Sequence, residues 1–364
     1  MKVIVGMSGG IDSSVAAWLL KQQGYDVEGV SFIFGERRLQ KYAVSPCCSL
    51  ESLIDAKKTA DSIGIKHAMV NLRNEFTERV IEPFIDAYAN GLTPNPCILC
   101  NGEIKFASLL RAAQERGADL IATGHYARIA KCRHADGESF SLNKGADAKK
   151  DQSYVLYVLG QRELRHLILP LGGKKKDEVR EIARGLNLPS AERPESQEIC
   201  FVGGENYVKF LESFMGGDEG PLLEAETGRV LGRHGGIHLY TIGQRKRIGV
   251  AAGRPLYVTK IDPSTNAVYV GPRDAVKKKD LVVRMLNWLS HPEHLPGEDG
   301  DKPGRPFRAT VKVRSTMDDE PATIAVLDDT RVHVAFDVAQ WALAPGQSAV
   351  FYDRERVIGG GIIC

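Results

Sequence analysis

The chain has 364 residues, more than an ordinary domain of roughly 100 to 200, so two or three domains with well-buried cores are expected and no appeal to disorder is needed. Its 48 Lys plus Arg against 46 Asp plus Glu leave it nearly neutral, which neither demands nor excludes a nucleic-acid partner, because a local basic face can hide inside a neutral total. Lys2 leads straight into a strand-like run and no apolar segment approaches ~18 residues, so neither a signal peptide nor a membrane span is expected and the chain reads as soluble and cytoplasmic.

From Met1 to about Gly204, strand-like runs ("KVIVGM", "YDVEGVSFIF", "IKHAMVNL", "ADLIATGHY") alternate with segments whose apolar residues recur at helical spacing. That rhythm predicts an α/β domain, a doubly wound parallel sheet with helices on both faces. The first helix should run from about Ser13 through Leu20 and stop at Gly24, the second from Ser52 to Ile63 with a stop at Gly64. Two more, around Glu75 to Ala89 and Ile104 to Arg116, flank "GLTPNPCILCNGE". Beyond about residue 220, β-branched runs separated by turn clusters, as in "RPLYVTKIDPSTNAVYVGP", predict a small β-rich region. "AVKKKD" weakly marks a boundary near Lys277 to Asp280, after which "FRATVKVRS", "ATIAVL", "RVHVAF" and "SAVFYDRERVIGGGII" predict a small β-barrel. The expected domains are therefore 1–204, 205–278 and 279–364, with "HPEHLPGEDGDKPGRP" an exposed loop inside the last. Seven cysteines, at 47, 48, 97, 100, 132, 200 and 364, form an odd and uneven set that suits thiols or ligands better than a disulfide framework.

The N-terminal stretch "GMSGGIDSS" places a glycine-serine loop between the first strand and the first helix. Such a turn aims backbone N–H groups and the positive end of a helix at one point, which suits a phosphate or pyrophosphate. Gly6, Gly9 and Gly10 permit close backbone approach, and Ser8 and Ser13 can add hydroxyls. The lysine of a Walker loop is missing, and so is the G-x-G-x-x-G dinucleotide fingerprint, so ordinary γ-phosphate transfer is disfavoured. Asp12 beside phosphates makes electrostatic sense if it meets a Mg²⁺ carried partly by phosphate oxygens, or if it caps the helix. Read alone, the stretch is also what a tight turn capped by Asp12 or Ser13 looks like.

Ser8-Gly9-Gly10-Ile11-Asp12-Ser13 resembles the S-G-G-x-D-S loop of the ATP pyrophosphatase superfamily, whose adenine nucleotide alpha hydrolase-like domain cleaves ATP between its α and β phosphates and passes AMP to a substrate oxygen. "TPNPCILCNGEIKF", "ATGHYARI", "KDQSYVLYVL", "SQEICFV", "YTIGQRKRIG" and "PGQSAVFYD" then resemble, in order, the tRNA-specific 2-thiouridylases of the MnmA family, over essentially the whole chain. The resemblance implies a transferase, a tRNA-uridine 2-sulfurtransferase. It would adenylate the C2 oxygen of the wobble uridine with ATP and Mg²⁺, then replace that oxygen with sulfur from a cysteine persulfide, releasing AMP and pyrophosphate. By position, Gly6, Met7, Ser8, Gly9, Gly10, Ile11, Asp12, Ser13, Phe32 and Gly124 would bind ATP. Cys200 would carry the persulfide and Cys100 would be the second catalytic thiol, the pair ending each turnover as a disulfide. A thiol with a pKa near ~8.5 is mostly protonated at neutral pH, and Cys100, expected just before a helix starting near Glu103, would draw help from that helix N-terminus.

Cys97 stands where many relatives have Asp. Cys97, Cys100 and Cys200 are thus also a ligand set for an iron-sulfur cluster, while the alternative makes Cys97 a spectator or a helper in resolving the persulfide. A zinc site on Cys97, Cys100, Cys132 and His134 is disfavoured because "KCRHADGES" reads as a surface loop. Cys47 and Cys48 read as exposed loop thiols, and Cys364 as a chain-end residue without a functional role. On the RNA side, Asn95, Pro96 and Cys97 match positions that touch the target base, and His125, Lys150, Asp151, Gln152, Arg314, Ser315 and Gln347 match tRNA-contact positions. Relatives often carry Tyr at the place of Ser315. Arg229, Arg233, Arg245, Lys246 and Arg247 form a glycine-rich basic stretch that suits a phosphate backbone. The expected partners are the tRNA anticodon loop and a persulfide donor, either a cysteine desulfurase or a sulfur-relay carrier; a monomer is expected.

Overall fold

The structure, a computed structural model, describes residues 1–35, 50–134, 137–188, 190–191, 199–202, 207–250, 253–290 and 306–364. The chain divides into two units, the first made of Met1–Ile81, Pro96–Glu205 and Glu355–Val357, the second of Glu82–Asn95, Asn206–Arg354 and Ile358–Cys364.

In the first unit β1 (Lys2–Gly6) leads through the loop into α1 (Ile11–Gln22), followed by β2 (Asp26–Ile33), α2 (Leu50–Ile63) and β3 (Lys66–Asn71). Gly24 and Gly64 end the two helices with φ of +85° and +66°, the left-handed region that only glycine enters cheaply. The next expected helix is broken into α3 (Arg73–Phe76), a π-helical turn at Thr77–Ile81 and α4 (Glu82–Ala89), the last counted in the second unit. After it come α5 (Pro96–Leu99), a π-helical turn at Cys100–Lys105, α6 (Phe106–Glu115) and β4 (Leu120–Ala122). The expected surface loop around Cys132 is instead an antiparallel hairpin of β5 (Ala127–His134) and β6 (Gly137–Lys144), with Cys132 opposite Ser139. Then follow α7 (Ser153–Leu156), α8 (Gln161–His166), β7 (Leu167–Ile168) and α9 (Lys176–Gly185).

The parallel sheet has the order β3-β2-β1-β4-β7. Alternation along β1 sends Val3 and Val5 toward Ala17, Leu20, Ala56 and Ala60 of α1 and α2, while Gly6 lies against Leu109 of α6 on the other face. Full burial of a side chain such as Leu20 contributes roughly 2 kcal/mol, so both faces are covered for a reason the apolar runs already carry. Strand order reverses its direction of growth between β1 and β4, and the carboxyl ends of strands at such a point form the crevice where ligands gather.

The second unit holds α10 (Tyr207–Glu212) and a four-stranded sheet of β8 (Gly220–Glu224), β9 (Val230–His234), β10 (Tyr257–Asp262) and β11 (Ala267–Gly271), packed around Leu222, Val258, Val268 and Val270. The Asp-Pro-Ser-Thr-Asn cluster turns β10 into β11, with Asn266 at φ +48°. A barrel follows, built from β12 (Lys277–Trp288), β13 (Phe307–Lys312), β14 (Glu320–Asp328), β15 (Arg331–Trp341), β16 (Ser348–Asp353) and β17 (Arg356–Ile363). Its strands run β12-β15-β14-β13-β16-β17, and pairing of β12 with β17 closes it around Val283, Phe307, Val334 and Phe351. "HPEHLPGEDGDKPGRP", apart from Pro306, and both Cys47 and Cys48 lie outside the described residues. Among the described residues no helix is long and apolar enough to cross a membrane.

Candidate active site

The loop after β1 is held by its own atoms. Ser13 Oγ donates to the Gly10 carbonyl at 3.1 Å and accepts the Ser8 backbone N–H at 3.1 Å. Gly9 sits at φ +78°, where an added Cβ would lie 2.2 Å from the Ser52 carbonyl oxygen, so only glycine fits the turn. Gly10 is the N-cap of α1 and no side chain caps it, so neither Asp12 nor Ser13 plays that expected part. Asp12 has a different partner. Lys176, at the start of α9, donates from Nζ to both carboxylate oxygens at 2.7 and 2.8 Å, and Tyr126 Oη donates to Oδ1 at 2.6 Å. The Lys176 side chain is only 6% exposed, while Asp12, at 35%, stays open to the cavity.

A cavity of about 230 Å³ opens over the loop. Gly6, Met7, Ser8, Asp12 and Ser13 line one side of it, and Val30, Phe32 and Phe34 line another. Thr123, Gly124 and His125, at the carboxyl end of β4, complete it with Lys105 and Gln152. Gly9, Gly10 and Ile11 do not line it; they shape the turn that does. Gly124 faces the loop so closely that a Cβ would stand 2.6 Å from the Asp12 carbonyl carbon and 2.7 Å from the Ser13 nitrogen. His125 Nδ1 lies 2.8 Å from Thr123 Oγ1. Burial, helped by the Lys105 charge, holds its pKa well below the usual histidine value, so the imidazole is neutral at physiological pH.

Cys97 and Cys100 lie on the helical run that begins at Pro96, and Cys100 opens the π-helical turn. Cys100 is therefore inside the run and not before its start. A proline at the first helical position, where its missing N–H costs nothing, explains the earlier beginning. Burial pushes the Cys100 thiol from its ordinary value near 9 up to about 12; Lys105 pulls it down, and Cys200 and Cys97 add to the rise. Cys97 keeps solvent access at its surface, yet crowding by protein raises its pKa too, again with Cys200 contributing. The mutual influence puts the three sulfurs within electrostatic reach. None of the described cysteines is in a disulfide. The set does not fit an iron-sulfur cluster: among the described residues no three or more His, Cys, Asp or Glu side chains gather as a metal-holding group. Of the zinc set, Cys97, Cys100 and Cys132 form no such group either, and the His134 side chain lies outside the described residues.

Residues 1–204 match the family model described as the tRNA methyl transferase HUP domain, 208–272 the tRNA methyl transferase PRC-barrel domain, and 278–363 the aminomethyltransferase beta-barrel domain. The chain is 45% identical over 365 residues to the tRNA-specific 2-thiouridylase MnmA of Halothermothrix orenii, covering 100% of this chain and 98% of the relative. It is 42% identical to that of Clostridioides difficile, with 100% and 98% covered. The chain belongs to the MnmA family of tRNA-specific 2-thiouridylases. Among solved structures, a 4-thiouridine synthetase–RNA complex with bound ATP matches at a TM-score of 0.36 and 20% identity, covering 58% of this chain and 50% of that one, too distant to carry an argument.

Within this member of the MnmA family, several of the residues expected to contact tRNA have their polar atoms bonded inside the chain. Asp151 Oδ1 accepts the Gly145 and Ser153 N–H groups at 2.9 and 3.1 Å, and Gln152 Oε1 accepts the Tyr126 N–H at 3.0 Å. Gln347 Nε2 donates to the Thr93 carbonyl at 2.8 Å, holding the segment that leads to Asn95. Arg314 Nη2 donates to the Ile242 and Ala342 carbonyls at 3.2 and 3.0 Å, and Ser315 is exposed. Arg229 and Arg233 pair with Glu224 and Glu219, whereas Arg245, Lys246 and Arg247 stand exposed in a turn where Arg247 has φ +63°. Motif reading passed over Lys176, Tyr126 and Lys105. Lys176 stands 164 residues from Asp12 in an ordinary basic run, so no local spacing could have linked them.

Proposed function

We propose that this chain is a tRNA-uridine 2-sulfurtransferase that works in the cytoplasm with ATP and Mg²⁺. Its wobble-uridine C2 oxygen attacks the α-phosphate of ATP, pyrophosphate leaves, and the oxygen becomes part of a good leaving group, AMP. The terminal sulfur of a Cys200 persulfide attacks C2 and AMP departs. The Cys100 thiolate then attacks Cys200 Sγ, so that a Cys100–Cys200 disulfide forms and the pair of electrons leaves with the thiouridine sulfur. An external thiol reduces the disulfide before the next turnover.

The observation that carries this reading is the company the cavity keeps: two thiols that feel each other's charge share a folded unit with a loop shaped for a pyrophosphate. Ser8, Ser13 and the loop amides would hold phosphate, and Phe32 and Phe34 would cover the adenosine. Mg²⁺ would arrive on the phosphates and spread their charge, with Asp12 the carboxylate that lines the cavity. Residues 1–204 would act as the ATP pyrophosphatase domain, 205–278 as a tRNA-contacting β domain and 279–364 as a barrel. Asn95, Pro96, Cys97, His125, Lys150, Arg314 and Ser315, with the exposed Arg245 to Arg247 turn, would meet the anticodon arm. Phosphate contacts of this kind make tRNA affinity fall steeply with salt. A persulfide donor protein would load Cys200, and the chain would act as a monomer.

The test is thiouridine formation on tRNA by Cys200→Ser and Cys100→Ser proteins, alongside calorimetric ATP binding. Both variants are expected to lose thiolation and keep ATP affinity; thiouridine made at the normal rate by either one would end the role assigned to that sulfur.

A further inference from the structure

Lys105 closes the π-helical turn that Cys100 opens, five residues on, the spacing at which π-helical backbone hydrogen bonds join residues i and i+5. Its ammonium donates to Asn101 Oδ1 at 2.9 Å. Asn101 is itself 1% exposed, and its amide nitrogen is anchored on the Val155 carbonyl at 2.9 Å. The same lysine lines the cavity beside Ser8, Ser13 and His125. Among the described residues, the other groups that bear on Cys100 do not supply its counter-charge. Cys97 and Cys200 both oppose ionisation, His125 is held neutral, and the Glu103 carboxylate faces Arg79 at 3.9 Å on the exposed side of the turn.

We propose that Lys105 is the positioning cation of the Cys100 thiolate, fixed by Asn101 so that one ammonium serves both that sulfur and the nucleotide cavity. The inference rests on the reading of Cys100 as the thiol that attacks Cys200 Sγ. Its proton leaves to solvent, and Lys105 stabilises the negative sulfur until the new S–S bond takes up the charge and the thiouridine sulfur carries the electron pair away. An opposite charge within about 4 to 6 Å favours the ionised form of a group.

The experiment measures alkylation of Cys100 by iodoacetamide in the full chain, read by mass spectrometry of its peptide, between about pH 8 and about pH 10, where only the thiolate reacts. The wild-type rate should climb with pH. Lys105→Met should react about ten-fold more slowly at each pH, and Lys105→Gln equally slowly although it keeps a donor for Asn101. Lys105→Arg should stay within about three-fold of wild type. Circular dichroism and the urea midpoint check that each variant is folded, and Gln covers the case in which Met fails to fold. A folded Met or Gln variant that alkylates at the wild-type rate overturns the proposal, as does a wild-type rate that ignores pH. Thiouridine formation by Cys100→Ser would remove the reaction scheme while leaving this electrostatic coupling standing, so the two failures are distinguishable.

Discussion

Replacing Lys176 with Met is expected to weaken ATP binding about ten- to thirty-fold and to lower stability by about 2 kcal/mol. The Lys176 ammonium bonds both Asp12 oxygens, at 2.7 and 2.8 Å, and its side chain is 6% exposed against 35% for Asp12. Removing one partner of a fully buried pair costs about 3 to 5 kcal/mol, and the water that reaches Asp12 through the cavity reduces this to about 2. The larger effect concerns the nucleotide. Without Lys176 a bare carboxylate lines a cavity meant for phosphates; two like charges ~4 Å apart repel by about 4 kcal/mol at an effective dielectric of ~20, and cavity water brings that to about 1.5 to 2. Calorimetry with ATP and urea denaturation read the two quantities. Adding Asp12→Asn to Lys176→Met removes the repulsion and should recover most of the lost ATP affinity. Unchanged ATP affinity in Lys176→Met, or a double variant no better than the single, would refute the reasoning.

Gly124→Ala should abolish ATP binding in a folded protein, because its methyl would stand 2.6 Å from the Asp12 carbonyl carbon and force the loop off its position; calorimetry beside a normal circular dichroism spectrum checks this. Cys100 makes stability pH-dependent on the alkaline side. Its folded pKa, about 12, lies above the ordinary value near 9, so the unfolded chain ionises first and stability is lost as pH rises from 9 toward 12. By about pH 10 the loss should reach about 1.4 kcal/mol, measured as the difference between urea curves of wild type and Cys100→Ala; identical slopes in the two proteins would contradict it.

The features legible in the sequence were those written in short range. β1, its loop and α1 follow from a run of apolar residues, three glycines and a helical spacing, and the stops at Gly24 and Gly64 follow from backbone conformation alone. The helix bearing Cys100 starts at Pro96, earlier than the start expected near Glu103, because proline is a favoured first helical residue and its loop-like neighbours hide that role. The hairpin around Cys132 was hidden by polar composition, since β6 buries only Ser141 and Leu142 of its residues. Asp12 was the one residue of the loop that composition could not explain. Its partner comes from α9, and only the folded chain brings the two charges together.

The missing loop lysine and the two thiols have a common physical explanation. A Walker loop carries its cation on itself, so its charge follows the phosphate alone. Here the cations come from elsewhere: Lys176 from α9 neutralises Asp12, and Lys105 from the Cys100 turn lines the same cavity. Phe201, next to Cys200, meets Phe76 edge-on at 5.9 Å, Phe76 stacks on Phe34 at 4.4 Å, and Phe34 lines the cavity. Each such ring pair contributes about 0.5 to 1.5 kcal/mol beyond burial, enough to fix where the Cys200 segment rests against the nucleotide walls. One thiol is thus tied to the cavity by charge and the other by aromatic packing. In the proposed reaction a displaced phosphate would be felt at Cys100 through Lys105, and a displaced adenosine at Cys200 through the ring chain, so activation of the oxygen and delivery of the sulfur share the same walls.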